Sequence, residues 1–476
     1  MKKIGNKYIF LYGVCFMTNS IETETNLSGK TISNRLWKLA YPTMISVGLQ
    51  SLYDIVDMAW VGQISKKALS GVAIFSSIYM LFTILNEIAG AGSVSMIAQN
   101  YGRGDIEKTR RIAEQTISFK VVLAIVSAFL LAVFLKPLLY FFLPDEEVIK
   151  NALDYGSLRI FFIPIMFSSY SVNTIFRCTG DAKTPMHIML IAAVLNLILD
   201  PLFMFEIIPG TSIRGLGMGV FGAALATVIA RTISFLYGFI ILLTGKKHIS
   251  IRFKGLFKLD KKIDKDLLSI GFPSGINLLV RTVAQVTIMK FVTVYGADAV
   301  ALAGVGGKFA QFAFMPIFGF NIGGSTLIGH SLGRENIPQA KLIARLAVIL
   351  TSAVIACFTL AVFIIPEFLL KFFFKDDTAM IAQGAVMIQF FYLSFLILAA
   401  ALGFSSVFTG SGHTKPLLYS TITSRWLVQI PVLFLFVNIL HLPLYTVWFS
   451  YIISEAAEFF VIFYHYKKGV WCCKRV

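Results

Sequence analysis

Twelve apolar stretches run through this chain, at residues 38–62, 69–98, 114–136, 156–177, 185–206, 216–243, 267–294, 299–330, 342–365, 384–408, 416–439 and 442–466. A helix needs about 20 such residues to cross ~30 Å of hydrocarbon. Backbone groups in lipid have no water to bond, so each must be satisfied within a helix or a closed barrel. Runs this long are too long for barrel strands and predict helices. Composition bears on the choice of solvent. Hydrophobic residues make up 57% of the chain and charged residues 14%, against roughly 25% charged in soluble proteins. The mean hydropathy is +0.77. Too few charges are present to cover a water-facing surface. The expected fold class is an all-α integral membrane protein with twelve transmembrane helices.

A net charge of +17 would suit a nucleic-acid partner, but its placement points elsewhere. An even number of spans puts both termini on one side. That side holds Lys2, Lys3, Lys7, Lys30, Arg35, the 103–111 loop, Arg177, Lys183, the basic 246–265 stretch, Arg334, Lys341, Arg345, Lys415 and the C-terminal Lys and Arg residues. Together these are 27 basic residues. The opposite loops hold seven: Lys66, Lys67, Lys136, Lys150, Arg214, Lys371 and Lys375. The positive-inside bias then predicts a multi-pass protein of the cell's inner (plasma) membrane with both termini cytosolic. The basic surplus is a topology signal, and no nucleic acid is needed to explain it. Tyr8 to Met17 is a short apolar run without a convincing cleavage site after it, so residues 1–35 read as a retained cytosolic or interfacial extension. The five cysteines form no metal-ligand spacing with histidine and no disulfide framework.

The chain also repeats itself at a shift of about 231 residues. Leu39-Ala40-Tyr41-Pro42-Thr43 returns as Ile270-Gly271-Phe272-Pro273-Ser274, and Ala68-Leu69-Ser70-Gly71-Val72 as Ala301-Leu302-Ala303-Gly304-Val305. Tyr101-Gly102-Arg103 returns as Leu332-Gly333-Arg334. Gly180–Pro185 returns, one residue shorter, as Gly412–Pro416. The spans therefore divide into two six-helix pseudo-symmetric lobes. The expected organisation is a 1–35 extension, an N-lobe at 36–244, a basic cytosolic linker at 245–265, a C-lobe at 266–466 and a tail at 467–476. Six is even, so the repeat is parallel, a pattern typical of secondary transporters. No GxxxxGK[ST] phosphate loop is present to couple ATP directly.

Ionisable groups inside a membrane are costly, and so mark candidate sites. In the first half these are Asp54, Asp57, Glu87 and Asp200. Asp57 lies five residues before the expected exit of its helix and Asp200 six before its own. At 1.5 Å per residue the two carboxylates share one depth. Asn196 stands one turn before Asp200, and Pro201 removes a backbone donor, freeing a carbonyl near residue 197. Carboxylate, amide and carbonyl oxygens suit a hard cation such as Na⁺. Two close carboxylates could instead share a proton. In the second half the matching positions are Ile288 and Pro431, so the acids are missing there. Its spans carry Arg281, Gln285, Lys290, Lys308 and Gln311 instead, read either as snorkelling or acid-balancing groups or as a basic wall of a substrate cavity.

The sequence resembles the multidrug and toxic compound extrusion (MATE) family over nearly all of residues 36–466. The resemblance is carried by Pro42, Asp57–Gly62, the Gly180–Pro185 loop, Asn196-Leu197-Ile198-Leu199-Asp200-Pro201 and Gly222–Thr227. It implies two lobes and efflux of organic, often cationic amphipathic compounds against Na⁺ or H⁺ entry, by alternating access. It also implies a cation site at Asp57, Asn196, Asp200 and Thr227, with Gln50 and Asn173 nearby, which would be a metal site if the ion is Na⁺. Pro42 matches a proline at which helix 1 bends. The family's other site, an acidic cluster in the C-lobe, has no evident match. No cofactor beyond the coupling ion is expected. The expected partners are membrane lipid and small amphipathic molecules, with the protein a monomer. Rival readings are a lipid-linked sugar flippase, which would need a basic groove for pyrophosphate, and an exporter of anionic metabolites. An enzyme is not expected, because no HExxH, GxSxG or His–Asp cluster stands in the spans.

Overall fold

The structure, a computed structural model, describes residues 28–245, 249–374 and 377–476. The apolar run 8–17 and the basic residues Lys2, Lys3, Lys7, Lys246, Lys247 and Lys375 lie outside the described residues. The helices are α1 (Gly29–Ile64), α2 (Lys66–Phe82), α3 (Ile84–Arg103), α4 (Ile106–Phe142), α5 (Glu146–Phe161), α6 (Ile163–Cys178), α7 (Lys183–Met204) and α8 (Gly219–Thr244). After the linker come α9 (Lys261–Thr293), α10 (Ala297–Gly333), α11 (Ile337–Ile364), α12 (Pro366–Phe374), α13 (Thr378–Ser411), α14 (Lys415–Ile439) and α15 (Tyr445–Lys468). The fold is all-α and integral to the membrane, with twelve spans in two lobes.

Among the described residues, nine helices are individually long and apolar enough to cross a bilayer, and two bent pairs raise the number to eleven. The twelfth span is α1. Its 36 residues are ample in length, but Lys30, Arg35, Lys38, Asp54 and Asp57 dilute its hydropathy.

Two expected spans are broken rather than straight. The second bends by 45° between α2 and α3, and the fourth by 57° between α5 and α6. At the first break the Thr83 hydroxyl donates to the Met80 carbonyl at 2.7 Å, meeting a group the helix no longer serves. At the second, Pro164 sits in the first turn of α6, where its missing N–H costs nothing. The fourth span consequently begins at Glu146, ten residues earlier than the hydropathy alone placed it. A third irregularity lies in α14, which is α-helical except at Ile422–Gln429 and Phe434–Ile439, where it widens to a π-helix. The Ile430 N–H there donates to the Arg425 carbonyl, five residues back.

The chain forms two compact units. One comprises Tyr41–Ile97 and Ile106–Leu279. The other comprises Ala98–Asp105 and Val280–Val476 together with residues 28–40. In the first, Val72, Phe75, Leu131, Leu135, Tyr155 and Phe167 build the core. Glycines bring its helices into contact: a Cβ on Gly71 would meet the Val148 carbonyl at 2.7 Å. Close approach of this kind is the general means of packing helices in lipid, where apolar side chains gain little by leaving the hydrocarbon. In the second unit, Leu302, Phe309, Phe391, Leu398 and Trp448 form the corresponding core. Phe129, Phe141, Phe161 and Leu360 are largely exposed, as suits side chains that face acyl chains.

Candidate functional site

Four helices of the first unit supply the polar cluster. Asp57 comes from α1, Tyr155 and Arg159 from α5, Asn196 and Asp200 from α7, and Thr227 from α8. Asp57, Asn196, Asp200 and Thr227 are all at most 6% exposed. Tyr155 donates its hydroxyl proton to Asp57 Oδ2 at 2.9 Å. Arg159 Nη1 in turn donates to the Tyr155 oxygen at 2.7 Å. Tyr155 and Arg159 are four residues apart and so share one helix face. The Arg159 guanidinium also lies 4.9–5.8 Å from the ring centres of Tyr155, Tyr79 and Phe75, a setting in which ring quadrupoles stabilise a desolvated cation.

On α7, Asn196 Nδ2 donates to Asp200 Oδ1 at 2.6 Å. The two carboxylates of Asp57 and Asp200 lie within each other's electrostatic reach. Each of the four sequence-predicted residues is left with one oxygen that has no hydrogen-bond partner: Asp57 Oδ1, Asn196 Oδ1, Asp200 Oδ2 and Thr227 Oγ1. The Tyr53 hydroxyl stands beside Thr227 and Arg231. Buried polar atoms are nearly always hydrogen-bonded in native structures. Oxygens left open together make a setting for a hard cation or for a proton held between carboxylates.

The other predicted residues stand at varying removes. Gln50 Nε2 donates to Asp54 Oδ1 at 2.8 Å, and Gln50 Oε1 accepts from Arg231. Arg231 stacks 4.9 Å from the Tyr53 ring centre. Asp54 itself is exposed. Asn173 is half-buried, with its Oδ1 unpartnered. Pro42 and Pro201 lie inside α1 and α7, and the Ser46 hydroxyl donates to the Pro42 carbonyl at 3.0 Å. Glu87 is exposed.

The second unit corrects the expectation that its spans lack acids. Glu455 and Glu458 on α15 are each 1% exposed. Arg281 Nη2 meets Glu458 Oε1 at 2.6 Å, and Arg425 Nη2 meets Glu455 Oε1 at 2.5 Å. The expected basic wall is therefore charge-balanced. Arg281 and Gln285 line a cavity of about 230 Å³ in this unit. Lys290 and Lys308 are exposed and do not line it. Tyr155, Arg159, Arg231, Arg425 and both glutamates were not singled out by sequence reasoning. Their signal was available, since an ionisable residue inside a span is itself a mark of a site.

The family model described as MatE matches residues 42–202 and again 273–435. The chain belongs to this family. The two matches begin at Pro42 and Pro273, the prolines related by the internal repeat. Among MatE relatives, the probable multidrug resistance protein YoeA of Bacillus subtilis is 26% identical over 441 residues, which cover 91% of this chain and 93% of the relative. The probable multidrug resistance protein NorM of Thermotoga maritima is 27% identical over 425 residues, with 88% and 89% covered. The fold matches an outward-facing multidrug resistance MATE family transporter of the MOP superfamily with a TM-score of 0.84 at 21% identity, covering 94% of this chain and 98% of that one. A MOP superfamily transporter from Pyrococcus furiosus Vc1, described as having a binding pocket of reverse polarity, matches with a TM-score of 0.85 at 21% identity, covering 95% and 100%. This MatE chain is thus a multi-pass membrane protein.

Proposed function

We propose that this protein is a cation-coupled secondary antiporter that exports amphipathic organic compounds by alternating access. One observation carries the coupling site: four buried oxygens, on Asp57, Asn196, Asp200 and Thr227, have no hydrogen-bond partner. Na⁺ fits this set of carboxylate, amide and hydroxyl oxygens. A proton fits the pair of carboxylates. In either case the ion enters from outside, is held by these side chains, and biases the balance of inward- and outward-facing states by its differential affinity for the two. Arg159 and Tyr155 hold Asp57 Oδ2 in place and leave Oδ1 for the ion. Export of multiple drugs is supported by family membership and by the names of the relatives. The positive bias of the loops supports a cytosolic position for both termini. A flippase reading finds less support, because Arg281 and Arg425 are each neutralised by a glutamate.

The test is transport in proteoliposomes with imposed Na⁺ or pH gradients. Asp57→Asn should abolish ion-driven efflux while leaving the purified protein monodisperse and its unfolding midpoint near that of the wild type. Wild-type export by that folded variant would remove Asp57 from the coupling site.

A further inference from the structure

The cavity of the second unit is lined by α9, α10, α13, α14 and α15. Its walls are largely apolar, with Phe314, Phe391, Phe395 and Trp448 among them, and one end is polar, with Arg281, Gln285, Arg425 and Glu455. The hydrogen bonds at that end are unequally shared. Glu458 is saturated: Oε1 accepts from Arg281 and Oε2 from Ser424 at 3.3 Å. Arg425 is heavily engaged, giving Nη1 to Gln429 at 2.7 Å and to Ser454 at 3.2 Å, and Nη2 to Glu455. Two groups that face the cavity are only half used. Arg281 makes its contacts with Glu458 and Thr421 through Nη2 alone, and its side chain is 31% exposed. Glu455 uses Oε1 only, and its Oε2 is buried without a partner, on a side chain 2% exposed.

Arg281, with an unused donor, and Glu455, with an unpartnered oxygen, therefore line one largely apolar cavity, within electrostatic reach of each other. A buried carboxylate oxygen without a donor costs free energy until one is supplied. A simple organic cation would satisfy Glu455 but leave Arg281 Nη1 unused, and a simple anion would do the reverse. A ligand that carries both charges a few ångströms apart satisfies both. The volume sets the size. About 230 Å³ lies below the roughly 300–1,000 Å³ of pockets for drug-sized ligands, and suits a molecule with a single aromatic ring. The π-helical stretch Ile422–Gln429 carries Arg425 and Gln429, and π-bulges recur at functional sites.

We propose that this cavity binds a small zwitterionic amphiphile of about the size of an aromatic amino acid. Its anionic group takes the Arg281 Nη1 donors, its ammonium donates to Glu455 Oε2, and its apolar body packs on Phe391 and Trp448. The test of this site does not depend on the coupling proposed at Asp57, because occupancy is read at equilibrium without an ion gradient.

The experiment measures binding of three probes to the purified full-length chain in lipid nanodiscs: L-phenylalanine, phenethylamine and 3-phenylpropionate. Phenylalanine should bind at least tenfold tighter than either singly charged analogue. Glu455→Gln should weaken phenylalanine at least tenfold and leave phenylpropionate unchanged. Because that variant disturbs the buried pair with Arg425, Arg281→Lys is the second arm. It keeps a cation for Glu458 but loses the second nitrogen of the fork, and should weaken phenylalanine tenfold while sparing phenethylamine. Failure of phenylalanine to bind, equal binding by phenethylamine, or unaltered binding in both folded variants would each overturn the assignment.

Discussion

Tyr155 bonds one oxygen of Asp57 and leaves the other open. The bond to Oδ2 is 2.9 Å long and joins residues 98 apart in sequence, while Oδ1 has no partner. The carboxylate is thus held by one edge with its second oxygen free. Arg159 fixes Tyr155 in turn, through a 2.7 Å bond that leaves the phenol proton to point at Asp57.

Tyr155→Phe removes the donor but keeps the ring in the core. Asp57 then has neither oxygen bonded, and Arg159 loses its acceptor. Losing a partner of a buried charged group costs about 1–3 kcal/mol. The variant should unfold at a lower temperature than the wild type in the same detergent. Its ion-driven export should also fall more steeply than its substrate binding, as transport assays beside equilibrium binding would show.

Asn196→Ala deletes an open amide oxygen and the 2.6 Å bond to Asp200 Oδ1. Under the proposed coupling, the cation concentration for half-maximal export should rise about tenfold, equivalent to ~1.4 kcal/mol of lost ion affinity. Export titrated against external Na⁺ at fixed pH, and against pH at fixed Na⁺, reads this out. A curve superimposable on the wild type in both titrations would exclude Asn196 as a ligand.

Arg425→Met strands Glu455 as a buried charge without its cation. Breaking one half of a buried pair costs about 3–5 kcal/mol, whereas replacing both halves by apolar residues is often neutral. The single variant should be poorly stable, and Arg425→Met combined with Glu455→Met should recover most of the loss. Thermal unfolding of the two variants against wild type measures the difference.

His413 lies in the turn between α13 and α14. Burial, with Lys474, His465 and Lys415 adding to it, pushes its imidazole down to about 4 from an ordinary 6.5. The folded state therefore disfavours the protonated ring. Its neutral form contributes fully above pH 6.5, and the contribution is lost as the pH falls from 6.5 towards 4. Unfolding midpoints across that window should fall more for the wild type than for His413→Gln.

Much of this molecule was legible in the order of its residues. Span lengths, the duplicated Pro42 and Pro273 segments and the loop charges are local or periodic properties, and each follows from what lipid demands of a backbone or from the repeat itself. Asp57 and Asp200 could be matched because helix rise converts sequence distance into depth. Depth says nothing of azimuth, and so nothing of which side chains meet. Packing placed Tyr155 and Arg159 behind Asp57, and it turned a wall expected to be basic into two ion pairs, Arg281 with Glu458 and Arg425 with Glu455. Those contacts join residues 177 and 30 positions apart. They depend on how helices rotate against one another and where α14 widens, which side-chain interlocking decides and hydropathy does not. The sequence by itself determined that this chain crosses the membrane as two related bundles. Only the tertiary structure decided which buried atoms are satisfied and which remain open, because a polar atom's partners come from helices that share no local pattern with its own.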